Sequence, residues 1–263
     1  MRRVLSLFSL LLVITSCKDK PVQSPVDYKE EPAEITTSIY PETISKIMKA
    51  HGGLDAWTKA NTLVFAMENP EGIETTTTDL KSRKSLIETE AFKIGFDGTN
   101  VWLDQDTEVY KGNPKFYYNL MFYFYAMPFV LADDGITYTE TEPLVFEGKS
   151  YPGINISYGE GVGESPDDEY VLYYNPETYK MEWLGYTVTY FSKEKSKDWH
   201  FIKYHEWETL QGLKLPKTLQ WYNNDGFEIK DMRNAAEFIN TSVNVNANDD
   251  MFYAKPERAK IIE

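Results

Sequence analysis

Residues 199–236 read WHFIKYHEWETLQGLKLPKTLQWYNNDGFEIKDMRNAA. In 199–209, Trp199, Phe201, Lys203, His205 and Trp207 point one way and His200, Ile202, Tyr204, Glu206 and Glu208 the other. This period of two is the mark of a strand with two unlike faces. Residues 215–223 and 227–236 continue as strands across the turn Asn223-Asn224-Asp225-Gly226, whose residue types favour tight reversal of the chain. Working outward, the pattern recurs at 62–68, 73–80, 84–88, 92–96, 101–103, 137–140, 144–146, 153–158, 170–174 and 181–191, with 237–239 as a short addition. Asp97-Gly98-Thr99-Asn100 and Asn175-Pro176-Glu177-Thr178 are further turns. In 181–191 the alternation puts Leu184, Tyr186, Val188 and Tyr190 on one face and Met181, Trp183, Gly185, Thr187 and Thr189 on the other. So many strands with short turns predict a mainly β fold with a few helices, built on one large antiparallel sheet, curled or partly closed.

Two stretches read as helix. The first has Pro41 at its start, Ile44, Ile47 and Met48 on one face and Gly52-Gly53 at its end; a short second helix follows through Leu54, Ala56 and Trp57. The other, 113–131, begins at Asn113-Pro114 and is apolar on nearly every side, with Pro128 expected to end or kink it. A helix without a polar face must be covered on several sides.

The N-terminus is of another kind. Residues 1–16 hold Arg2 and Arg3, an apolar run from Val4 to Ile14 and the small pair Thr15-Ser16 before Cys17, the layout of an export signal. Roughly a dozen apolar residues fall short of the ~20 that span a bilayer. Ile14-Thr15-Ser16-Cys17 resembles the lipobox of bacterial lipoproteins, which implies a diacylglyceryl thioether on Cys17. Cys17 is the only cysteine, so the core holds without an internal disulfide. Residues 17–38, polar and broken by Pro21, Pro25 and Pro32, read as lipid anchor and flexible tether. Residues 39–263 then form a single β-rich domain.

The formal charge of −14 repels nucleic acid over roughly a Debye length, about 8 Å in physiological salt, so a nucleic-acid partner is excluded. His51 sits at a helix C-terminus, where the dipole favours a cation. His200 and His205 are five apart and point to opposite faces of one strand, so they share no metal. The stretch Glu164-Ser165-Pro166-Asp167-Asp168-Glu169 lacks the spacing of a twelve-residue calcium loop and reads as solvated; Asp133-Asp134-Gly135 reads as a turn. No Gly-x-Ser-x-Gly elbow and no phosphate-cradling loop is present. No enzyme activity, cofactor or metal is therefore expected.

Aromatic residues make up 15% of the chain, with nineteen Tyr and six Trp. A curved sheet lined by such side chains and covered by an apolar helix encloses a hydrophobic ligand. Phe122, Tyr125 and Phe129 from the helix and Trp102, Trp183, Trp207 and Trp221 from the sheet are the candidate lining. The same residues also suit plain packing of helix on sheet.

Ile44, Ile47-Met48-Lys49-Ala50-His51-Gly52-Gly53, Trp57 and the hairpin Phe96-Asp97-Gly98-Thr99-Asn100-Val101-Trp102 resemble the LolA/LolB-like superfamily of outer-membrane lipoprotein-sorting proteins. Val171-Leu172-Tyr173-Tyr174-Asn175-Pro176 and Gly212-Leu213-Lys214-Leu215-Pro216 are similar to that group's sheet hairpins. The mature chain also resembles a group of Bacteroidetes lipoproteins. The resemblance implies an incomplete β-barrel with helices over its open face and an apolar cavity, which in the carriers receives acyl chains. The expectation is a lipid-anchored envelope protein at the outer membrane, on its periplasmic face or at the cell surface, binding a lipid, a lipoprotein acyl chain or another hydrophobic ligand. No protein partner can be named from the sequence. A partner-binding lipoprotein with a packed core is the first alternative. A hydrolase or carbohydrate-active protein, marked by two carboxyl groups about 5–10 Å apart, is the second.

Overall fold

A computed structural model describes residues 40–69, 72–133, 135–158, 168–192 and 194–263. The signal peptide, Cys17, the tether, Asp134 and residues 159–167 of the acidic loop lie outside the described residues. The elements and core set out below are built wholly within 40–263.

Helices α1 (Glu42–Ala50) and α2 (Leu54–Lys59) come first. Next are β1 (Thr62–Asn69), β2 (Gly72–Asp79), β3 (Ser85–Glu88), β4 (Phe92–Phe96) and β5 (Val101–Gln105), an up-and-down run in which each strand pairs with the next. A second such run comprises β6 (Ile136–Phe146), β7 (Lys149–Tyr158), β8 (Tyr170–Tyr174), β9 (Met181–Tyr186), β10 (His200–Leu210), β11 (Leu213–Asp225) and β12 (Glu228–Asn244). β12 welds the two together: residues 228–237 pair with β11, and residues 238–244 pair with β1. A register shift on β1 faces Asn240, whose φ is +51°. This bulge lies where the sequence pattern ended, at 239, although the strand runs on to Asn244. The result is a single antiparallel sheet of thirteen strands among the described residues, not closed into a barrel.

β5 and β6 lie near opposite edges of this sheet. The chain between them must cross its whole width, and that crossing is the apolar stretch 113–131. It is not one helix, as the sequence suggested, but three short turns: α3 (Pro114–Tyr117), α4 (Leu120–Tyr125) and α5 (Met127–Val130). Asn113 caps α3 by accepting the Phe116 N–H at 3.2 Å. The last break has a specific cause. Pro128 has no N–H to give the carbonyl of Phe124, four residues back. The Tyr204 hydroxyl on β10 donates to that carbonyl instead, at 2.6 Å. Beyond α5 the carbonyls of Leu131 and Ala132 accept the hydroxyls of Tyr138 and Tyr40, which meets the need of a helix end for partners.

The main core fills the space between these turns and one face of the sheet. Leu63 and Phe65 on β1, Leu172 on β8, Leu184 on β9, Ile202 and Tyr204 on β10, Leu219 on β11 and Phe238 on β12 meet Phe122, Tyr125 and Phe129 there, all buried. Each such side chain contributes about 1.5–3 kcal/mol by leaving water. A smaller cluster on the back of β8–β10 holds Val171, Tyr173, Trp183 and Phe201, covered by Leu144 from β6. The C-terminus adds α6 (Asp250–Tyr253) and β13 (Lys260–Ile261), which pairs with β5; neither was foreseen.

Other departures have local causes. β6 joins the two segments 137–140 and 144–146, with an irregularity between Thr141 and Leu144 where Pro143 stands. β9 ends at Tyr186 rather than Phe191. A register shift between Tyr173 and Tyr174 turns Met181 into the main core, away from Trp183 on the back face. On β10 the alternation fails at Glu206, whose φ is +55°, and Trp207 packs with the main core.

Candidate functional site

The structure scatters the seven residues proposed from sequence. Trp102 lies under the C-terminal segment with Leu86, Tyr253 and Ala259, and its indole N–H donates to the Tyr253 carbonyl at 3.1 Å. Trp183 belongs to the back-face cluster, edge-on to Phe146 and Tyr222. Phe122, Tyr125, Phe129 and Trp221 are packed in the main core, Phe129 stacked 4.8 Å from Trp57. Trp207 sits at the core margin, 4.6 Å from the His51 ring. The concave face is thus packed, not hollow, along most of its length.

A cavity of about 170 Å³ remains at one end, and none of the seven lines it. Its helical wall is Phe116 from α3, Leu120, Tyr123 and Phe124 from α4, and Met127 and Val130 from α5. Opposite stand Tyr158 of β7, Tyr170 of β8 and Tyr186 of β9, continued by Thr187, Val188 and Tyr190. The two sides are held in place by polar contacts at the rim. Asp168 Oδ1 accepts the Thr189 N–H at 2.6 Å and the Thr189 hydroxyl at 2.7 Å, while its Oδ2 accepts from Tyr170 at 3.4 Å. This keeps residues 187–190 alongside β8 after β9 has ended. On the helical side Arg83 donates to both oxygens of Asp133 at 2.7 Å, and its guanidinium lies over Phe122.

Burial pushes the hydroxyls of Tyr123, Tyr158, Tyr170 and Tyr186 above the usual phenol range. They therefore stay neutral, offering hydrogen bonds at the edges of apolar rings. A cavity near 150 Å³ accepts a benzene-sized guest, whereas drug-sized ligands use roughly 300–1,000 Å³. The volume here matches one ring or a short acyl segment. Among the described residues no group of three or more His, Cys, Asp or Glu side chains could hold a metal ion.

Part of this site carried a sequence signal. Tyr186, Val188 and Tyr190 shared one predicted face, and that face does look into the cavity. Tyr158 and Tyr170 did not stand out, and Asp168, expected in a solvated loop, is instead half-buried and bonded to Thr189; only the pairing of β7 with β8 and the Asp168–Thr189 contacts bring the three together.

The histidines do other work. His51 is not the helix-end cation expected: it is completely buried, and desolvation, reinforced by Lys214 and Lys180, lowers its pKa to about 4 despite its bond to the Ile47 carbonyl. His200 is half-buried beside Tyr186, and His205 is exposed.

A family model described as a family of unknown function (DUF6503) matches residues 88–239, more than half of the chain, and the chain belongs to that family. A comparison with curated proteins found no match. The structure is similar to that of a DUF1329 family protein from Desulfovibrio piger, at 11% identity and a TM-score of 0.47, covering 80% of this chain and 95% of the other. It is similar also to a LolA superfamily protein from Nitrosomonas europaea, at 7% identity and a TM-score of 0.44, covering 78% and 98%.

Proposed function

We propose that this member of the DUF6503 family is a binding protein of the cell envelope whose cavity takes one small amphiphilic ligand: a ring or short acyl segment with a hydrogen-bonding end. The observation that carries this reading is the pairing of an apolar floor of Leu120, Met127, Val130 and Val188 with a wall of neutral tyrosines. Aromatic walls bind apolar bodies by area, and their hydroxyl tips orient a polar group. Two of the core residues first proposed as lining, Trp221 and Phe122, act from behind in this reading. Trp221 stands edge-on to Phe124 at 6.3 Å, and Phe122 lies 5.4 Å from Tyr123; Phe124 and Tyr123 both face the cavity.

The same proposal places the protein at the outer membrane, held through a lipid on Cys17, on the strength of the leader pattern. Replacing Cys17 with Ala would release the chain from the membrane fraction.

The test of the cavity is calorimetric titration of residues 40–263 with p-cresol, a single ring with one hydroxyl. Saturable one-to-one binding is expected, weakened about tenfold or more in Val188→Trp, which fills the space from a half-buried position at the margin of the main core. Binding that never saturates, or that Val188→Trp leaves unchanged, overturns the reading.

A further inference from the structure

The charge inside the cavity bears on the kind of polar end it takes. Among the described residues the charged groups in its lining are Asp133 and Asp168, and no lysine, arginine or histidine joins them. Arg83 pairs with Asp133 but is not part of the lining. Asp168 is half-buried, and the groups of Thr189 and Tyr170 that donate to it are a neutral amide and neutral hydroxyls. A charge set partly out of water acts on its surroundings more strongly than one in bulk solvent.

The field is uneven across the cavity. Burial first, and then neighbouring tyrosines with the carboxylates of Asp133 and Asp168, push the Tyr158 hydroxyl above the phenol range. Burial and then Asp168 do the same at Tyr170. No described cation opposes them at either ring. Cations reach the other side instead: after the larger effect of burial, Arg83 acts on Tyr123 and Arg233 on Tyr186. Tyr158 and Tyr170 thus mark the negative end. Their rings stand 5.7 Å apart at 79°, a corner of two aromatic surfaces. Corners of this kind hold ammonium groups, because the face of a ring attracts a cation within about 6 Å of its centre.

We propose that the ligand's polar end is a cation: an ammonium group on a ring or short apolar segment, seated against Tyr158 and Tyr170, with Asp168 and Asp133 supplying the opposite charge. The inference rests on the cavity reading above and narrows it, and the two fail separately. A neutral end would use the tyrosine hydroxyls and give the carboxylates no part, and an anionic end would be repelled by both.

The experiment is calorimetric titration of residues 40–263, at neutral pH, with three phenols that differ in charge: p-cresol, tyramine and 4-hydroxyphenylacetate. Tyramine, which is p-cresol extended by a charged aminomethyl group, should bind about tenfold or more tighter than p-cresol, and 4-hydroxyphenylacetate more weakly than p-cresol. Added salt should shrink the ratio of tyramine to p-cresol affinity. Asp168→Asn keeps an acceptor for Thr189 and removes the charge, so it should bring that ratio toward one. Three results overturn the cationic ligand and leave the cavity reading standing: p-cresol binding with tyramine no tighter, 4-hydroxyphenylacetate binding as tightly as tyramine, or a ratio that neither salt nor Asp168→Asn reduces. Absence of binding by both p-cresol and tyramine overturns the two together. The three ligands and the salt series use the unaltered domain, so they decide the matter even if Asp168→Asn fails to fold.

Discussion

Nε2 of His51 accepts the backbone N–H of Met181 at 3.3 Å, across 130 positions of sequence. That acceptor role fixes the tautomer: the proton sits on Nδ1 and is donated to the carbonyl of Ile47 at 2.8 Å. The carbonyl of His51 takes the N–H of Lys214 at 2.8 Å. One residue thereby ties the end of α1 to the starts of β9 and β11.

Protonation of His51 would remove the acceptor and bury a charge, so stability should follow its titration. A pKa held at about 4 in the fold, against 6.5 when free, gives stability that is fully present above about pH 6.5 and is lost as pH falls toward 4. Urea unfolding at about pH 7.5 and about pH 5 should differ by roughly 2 kcal/mol from this residue. His51→Gln should be less stable at the higher pH and show a smaller difference between the two. An undiminished difference would assign the acid sensitivity elsewhere.

Gly52 should not tolerate a side chain. Its φ is +110°, and a Cβ would lie 2.1 Å from the carbonyl oxygen of Gly212. Gly53 also has positive φ, +86°, but nothing lies within 4 Å of a Cβ there. Gly52→Ala should cost about 3 kcal/mol or more, and Gly53→Ala about 1–2 kcal/mol from backbone strain alone. Chemical denaturation of both measures the gap, and equal losses would refute the contact with Gly212.

Glu74 is a buried carboxyl whose Oε1 accepts the Tyr117 hydroxyl at 2.7 Å. Burial raises its pKa, and the Tyr117 bond only partly offsets this. A raised carboxyl pKa favours the fold at low pH and costs stability as pH rises through it. Glu74→Gln keeps an acceptor for Tyr117 and removes the charge. Its melting temperature should exceed that of the unaltered protein at about pH 8, and the advantage should vanish at about pH 4.

Deleting residues 249–263 should expose Trp102 and the β5 edge that β13 covers. A red shift of tryptophan emission and concentration-dependent self-association are expected, since an uncovered strand edge recruits other chains. Sedimentation velocity reads the second effect. A truncated chain that stays monomeric with unshifted emission would show that the C-terminal segment does not shield this edge.

The strands were legible because alternation of side chains survives wherever a sheet has two unlike faces. Phe92–Phe96 and Tyr170–Tyr174 match their predicted limits residue for residue. What alternation cannot register is a single residue that breaks it. The shift beside Tyr174 and the turn of backbone at Glu206 moved Met181 and Trp207 to the face opposite the one their parity implied. The kink at Pro128 was legible, but the carbonyl it leaves on Phe124 is satisfied by Tyr204, eighty residues away. Trp102 and Trp183 looked like cavity lining because bulk and apolarity are the same in a ligand site and in a core. Only the covering segments, 250–261 over one and the end of β6 over the other, separate the two cases.

The two margins of the sheet are not equivalent. β13 leaves two paired residues at one side, while β6 presents eleven at the other, guarded by the exposed carboxylates Glu140 and Glu142 and by Pro143. Among the described residues, β6 is therefore the one long strand edge open to a strand from another molecule. Two copies joined through β6 would use up each other's long margin, so growth by this route stops at a pair and cannot run on into a fibre.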